Sequence, residues 1–94
     1  MRVTEVRPSE EVCHEAGWFA WDFYLEKPLT EEDIGRVRPL GSFLYLSSLK
    51  KPFFKSEGEY FHIKGIRGED HFRAAVHAQH TDLLNMLRER LEDT

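Results

Sequence analysis

The feature that most constrains this chain is an alternation of apolar and polar residues on both sides of one glycine-containing turn. It reads Tyr60-Phe61-His62-Ile63-Lys64-Gly65-Ile66, then Arg67-Gly68-Glu69-Asp70, then His71-Phe72-Arg73-Ala74-Ala75-Val76-His77. Two period-2 runs about such a turn specify a β-hairpin. With Gly68 and Glu69 at the tip, Arg67 faces Asp70, Gly65 faces Phe72, Ile63 faces Ala74 and Phe61 faces Val76. The opposite face then pairs Ile66 with His71, Lys64 with Arg73, His62 with Ala75 and Tyr60 with His77. Directly opposed residues share a face, so this register gathers nearly all the apolar side chains. A slip of one residue would mix the faces.

That register also creates a candidate site. Lys64 and Arg73 lie opposite one another with His62, His71, His77 and Tyr60 on the same face, although like charges across a ladder repel. A solvated face is the simplest account, because exposed charges interact weakly. The functional account is a surface that receives an acidic protein patch or a small anion.

The remaining segments supply strands and helices around this hairpin. Met1–Arg7 is a weak strand candidate, and Ser9 with Glu10 and Glu11 opens a short helix over Glu10–Ala16. Trp18–Glu26 is a strand whose residues Phe19, Trp21, Phe23 and Leu25 point to the core, with Trp18, Asp22 and Tyr24 on the other face. Thr30 followed by Glu31, Glu32 and Asp33 opens a second helix, ended by Pro39 and Gly41. Ser42–Ser48 is apolar on both faces, as a central strand would be. Thr81–Leu91 is an amphipathic helix with Leu83, Leu84, Leu87 and Leu91 in one stripe and Thr81 as its cap.

Residues 50–59 read equally as a hairpin arm or as a loop. Within them Lys50, Lys51, Phe53, Phe54 and Lys55 form a second candidate patch, since aromatics among basic residues can stack bases and hold phosphates. One inward Phe beside lysines that guard a strand edge explains the same residues. The expected architecture is α+β, an antiparallel sheet of about four strands with two or three short helices mainly on one face, in the order (β)αβαβββα, as a single small domain over 1–94.

Composition narrows the function classes. Apolar residues make up 40% of the chain and charged residues 32%, the balance of a globular protein. The net charge of −4 disfavours nucleic acid as a partner, although the middle of the chain is locally basic. One cysteine excludes an internal disulfide and any CxxC motif. The cytoplasm is the expected location, and no apolar run is long enough to span a bilayer.

No catalytic or cofactor motif is present. Cys13 and His14 are adjacent and would not face each other on a helix. His62 and His77 are diagonal neighbours across the hairpin, but zinc normally takes three or four protein ligands. No metal, no cofactor and no enzymatic activity are expected. The favoured reading is a binding module whose exposed sheet face takes a protein partner or a second copy. The alternative is a sensor that holds a small anion on Lys64, Arg73 and the histidines.

Overall fold

The computed structural model describes residues 1–9 and 17–92. The helix expected over 10–16, with Cys13 and His14, lies outside the described residues. Six strands form one antiparallel sheet: β1 (Val3–Pro8), β2 (Trp18–Leu25), β3 (Ser42–Leu46), β4 (Phe53–Glu57), β5 (Phe61–Ile66) and β6 (His71–His77). Their spatial order is β1-β2-β6-β5-β4-β3. Among the described residues two α-helices, α1 (Glu31–Val37) and α2 (Leu83–Leu91), complete the α+β fold.

The expectation of about four strands in the order (β)αβαβββα is corrected to six strands, and the described elements run ββαββββα. The difference arises largely at residues 53–57. They form a full strand that pairs with β3 on one side and β5 on the other. An extended segment gains most when both of its hydrogen-bonding edges are used, and here both neighbours are joined to it by short connections.

The hairpin register matches the sequence reading where the ladder runs: Phe61↔Val76, His62↔Ala75, Ile63↔Ala74, Lys64↔Arg73 and Gly65↔Phe72. Beyond it, His77 N donates to Tyr60 O at 3.0 Å. The tip differs from expectation. Glu69 N bonds to Ile66 O at 3.2 Å, and Gly68 has φ +92°, so Arg67 and Gly68 are the central turn residues. Glycine suits that second central position, which requires positive φ. The expected pairs Arg67–Asp70 and Ile66–His71 are absent from the ladder because the loop bonds elsewhere. Leu25 N and Leu29 N donate to Asp70 O and Glu69 O at 2.7 and 2.8 Å, and Gly68 N donates to Leu29 O at 2.9 Å.

The core lies on one face of the sheet. Phe23, Phe54, Ile63, Phe72, Ala74 and Val76 are buried together with Ile34 and Val37 of α1 and Leu87 and Leu91 of α2. Phe23 and Phe72 stack at 5.0 Å between ring centroids. Burying one such side chain contributes roughly 1.5–3 kcal/mol. Phe19 was expected in this row but is 56% exposed, near the first end of β2.

Local signals set the helix ends. Thr30 Oγ1 accepts from Asp33 N at 3.2 Å while Asp33 Oδ2 accepts from Thr30 N at 3.1 Å, closing a reciprocal capping box. At α2 the expected cap is corrected. A 3-10 turn over Ala78–His80 comes first, with His77 Nδ1 accepting from Gln79 N at 3.1 Å. Thr81 then already has helical backbone angles, and Asp82 takes the cap position without a side-chain bond.

β3 also departs from expectation, because it is an edge strand and ends at Leu46. Of its two apolar faces, Phe43 and Tyr45 are half-buried on the core side, while Leu44 and Leu46 are exposed on the other. On the core side Tyr45 Oη donates to Glu31 Oε1 at 2.6 Å, and Arg67 also bonds to Glu31. The Tyr45 hydrogen bond holds the Glu31 carboxyl below its ordinary value against the opposing effect of desolvation, and Arg67 adds to the lowering. The same bond raises the Tyr45 phenol.

Two outcomes test this account. Gly65→Ala should destabilise by about 1–3 kcal/mol in urea titrations, because a Cβ there would lie 2.8 Å from the Phe54 ring and 3.1 Å from Phe72 Cβ. Gly35→Ala in α1 meets nothing within 4 Å and should stabilise by about 0.5–1 kcal/mol. The Glu31 tie predicts a pH dependence. A depressed folded-state pKa adds stability that is fully present above the unfolded value and disappears as pH falls through the folded one. Between about pH 6 and pH 3, Glu31→Gln should therefore lose less stability than the parent protein.

Candidate functional site

The face opposite the core is covered by neither α1 nor α2. Because residues alternate across each strand, one row crosses this face as Leu44, Lys55, Lys64, Arg73, Asp22 and Arg7. Most of its charges are answered locally. Arg73 Nε donates to Asp22 Oδ1 at 3.1 Å, Lys55 pairs with Glu57 at 2.9 Å and Arg7 pairs with Glu5 at 2.7 Å. Lys64 is exposed and has no carboxylate partner among the described residues.

The Lys64–Arg73 opposition expected from the hairpin is therefore present, and the third strand relieves half of it. Arg73 and Asp22 keep only 20% and 13% of their side-chain surface exposed, so this pair is shielded from solvent far more than the others. Electrostatic screening by water weakens an ion pair least at such a site.

The six residues picked from the sequence separate into two groups. Lys64, His71 and Arg73 gather near the Gly68 turn, where they line a depression of about 280 Å³ with Phe53, Ile66 and Glu69. It has an apolar wall from β4 and β5 and a cationic wall from β5 and β6. His71 is held there by Tyr24, at 5.5 Å between rings, and by Asp70, whose Oδ1 lies 3.0 Å from His71 Nδ1.

Tyr60, His62 and His77 lie at the far end of the same face. Trp18 sits 4.6 Å from the His62 ring and meets the His77 ring edge-on at 5.7 Å. Tyr60 stacks on His80 at 3.8 Å. This is an aromatic and imidazole cluster, whereas the turn end is the charged one.

The second candidate patch does not hold together. Phe54 is fully buried in the core, while Phe53 is half-buried on the open face. One inward and one outward Phe is what strand alternation demands of adjacent residues. Lys55 is engaged by Glu57, and Lys50 and Lys51 lie in the exposed connection before β4.

No family model, no curated protein and no solved structure matches this chain. Its site is read from its own chemistry.

Among the described residues, the only group of three ligand-type side chains close enough to share an ion is Glu69, Asp70 and His71, within 4.8 Å of one another. These are consecutive residues leading into β6, and the Asp70–His71 hydrogen bond already uses two of their atoms. His62 and His77 gain no third ligand there. No described helix is long and apolar enough to cross a membrane.

Asp22 and Ile66 belong to the site and were not singled out from the sequence. Trp18 and Tyr24, which the sequence places under a neighbouring loop more readily than in a pocket, contact His62 and His71. The alternation of β2 did place Trp18, Asp22 and Tyr24 on one face. What it could not supply was the neighbour of that face, since β2 and β6 are joined by no short connection. A double-mutant cycle tests the relation of Asp22 to the two cations. With Asp22 present, Lys64→Gln should change stability by less than about 0.5 kcal/mol. In an Asp22→Asn background the same change should stabilise by about 0.3–1 kcal/mol, because the Asp22 carboxylate that offsets the opposition of Lys64 and Arg73 is then neutral.

Proposed function

We propose that this protein is a non-enzymatic binding module that holds a protein partner on its open sheet face. The observation that supports this reading most directly is the depression bordered by Phe53 and Ile66 on one side and by Lys64, His71 and Arg73 on the other. An acidic side chain next to an apolar one would fit both walls. Partly buried aromatics at such a surface supply contact area with little loss of side-chain freedom, while the cations select the charge of the partner. A reducing, cytoplasmic setting suits the single cysteine.

A second reading is favoured by the convergence of three basic side chains on one depression. The site would then take a small carboxylate or phosphate, with Lys64 as the exposed contact and Arg73 already shared with Asp22. Such sharing lowers the positive charge available to a small anion, which is why the protein partner is preferred.

Peptides selected from a random display library and titrated into ¹⁵N-labelled protein test the proposal. Binders should combine Asp or Glu with an apolar residue and move the resonances of Phe53, Lys64, Ile66 and His71. Lys64→Glu should weaken them about tenfold, equivalent to roughly 1.4 kcal/mol. Perturbations centred on α2, or affinity indifferent to Lys64→Glu, would overturn it. Inorganic phosphate and simple carboxylates in the same titration address the second reading, which requires saturable shifts that vanish with Lys64→Ala plus Arg73→Ala.

A further inference from the structure

We infer that the outer edge of β3 is a docking surface for a second copy of this chain, joined antiparallel about a two-fold axis at Leu44. The two edges of the sheet are built differently. β1 carries Glu5, Arg7 and Pro8 and has a register shift between Val3 and Glu5. Charges, proline and bulges are the features that stop an edge from pairing with another strand. β3 reads Ser42-Phe43-Leu44-Tyr45-Leu46, with no charge, no proline and an unbroken register against β4.

Exposed apolar side chains concentrate at this same edge. Leu44 and Leu46 are each 41% exposed, and Leu49 in the turn that follows is 48% exposed. Single exposed leucines are ordinary on a protein surface; a run of them along an unguarded strand edge marks an interaction site. On its outer side β3 makes no backbone hydrogen bond to another described strand, since β4 is its one neighbour in the sheet.

The strand is complementary to itself, which is what selects a second copy as the occupant. An isologous contact must place the same patch against itself. Centred on Leu44, the antiparallel register sets Leu44 opposite Leu44 of the second copy, Phe43 opposite its Tyr45, and Ser42 opposite its Leu46. The Phe43–Tyr45 pairs fall on the core-side face and bring opposite charges together. The Arg38 guanidinium lies 5.8 Å from the Phe43 ring centroid, and the Tyr45 hydroxyl holds Glu31 at 2.6 Å. Arg38 of each copy therefore approaches Glu31 of the other, which would then be shared between that Arg38 and its own Arg67. The product is a continuous twelve-stranded sheet with its two open faces side by side. This edge adjoins the depression only where Leu46 neighbours Phe53, and Lys64 lies two strands away, so variants at Lys64 and at Leu44 test the two proposals independently.

Sedimentation equilibrium across the micromolar to millimolar range tests it. The parent protein should show a reversible monomer–dimer equilibrium, and Lys64→Glu should leave that equilibrium unchanged. Leu44→Lys places two ammonium groups opposite each other and should weaken association by about tenfold or more, with circular dichroism reporting whether the variant is folded. Independently of that variant, Leu44→Cys in a Cys13→Ser background should form a disulfide-linked dimer under mild oxidation. Ser42→Cys in the same background should not, because its counterpart lies four residues away along the axis, roughly 13 Å. A protein that stays monomeric throughout overturns the inference. So does a dimer indifferent to a folded Leu44→Lys, or a Ser42→Cys variant that cross-links as readily as Leu44→Cys.

Discussion

The antiparallel ladder between β2 and β6 is the interaction on which the rest of the structure depends. It runs from Trp18↔His77 to Tyr24↔His71 and joins strands separated by about half of the chain. Closing so long a loop costs chain entropy before any contact compensates for it. The compensation comes from both faces at once. On the core side the ladder stacks Phe23 on Phe72; on the open side it places Asp22 against Arg73. Without β2, the β5–β6 hairpin would present Lys64 to Arg73 and lose the Asp22 carboxylate that offsets them.

A wide sheet with both helices on one side has an asymmetric surface. The core face is mainly apolar, with Ser56 as a buried exception, and its strands contribute one inward residue in every two. The open face combines rings, imidazoles and charges, sorted by position along the strands. Near the Gly68 turn the side chains are cationic beside Phe53 and Ile66; at the other end Trp18, Tyr60 and the histidines pack against one another. The segregation follows from register, since each cross-strand row collects one residue from every strand. A one-residue shift in β6 alone would scatter both groups.

The sheet's ends follow the same economy of backbone hydrogen bonding. Every interior strand has both edges occupied, so the unmet capacity of the sheet is confined to β1 and β3. β1 is guarded by charge and by a change of register, and β3 is braced on its core side by the Tyr45–Glu31–Arg67 contacts without being covered. Bracing of this kind fixes the strand in an extended shape while leaving its outer edge accessible.

The sequence by itself determined the local pieces of this protein. The hairpin register from Phe61 to Val76, the Thr30 capping box, the strand at Trp18–Leu25 and the apolar stripe of α2 are all set by residues within a few positions of one another. Alternation, capping and turn chemistry act over that range, so they can be read directly. The tertiary structure decided which strands became neighbours, and that choice made β3 an edge, brought Asp22 and Trp18 to the candidate site and left Phe19 exposed. Strand pairing between distant segments is settled by the summed burial and hydrogen bonding of the whole sheet, a quantity that no single stretch of sequence contains.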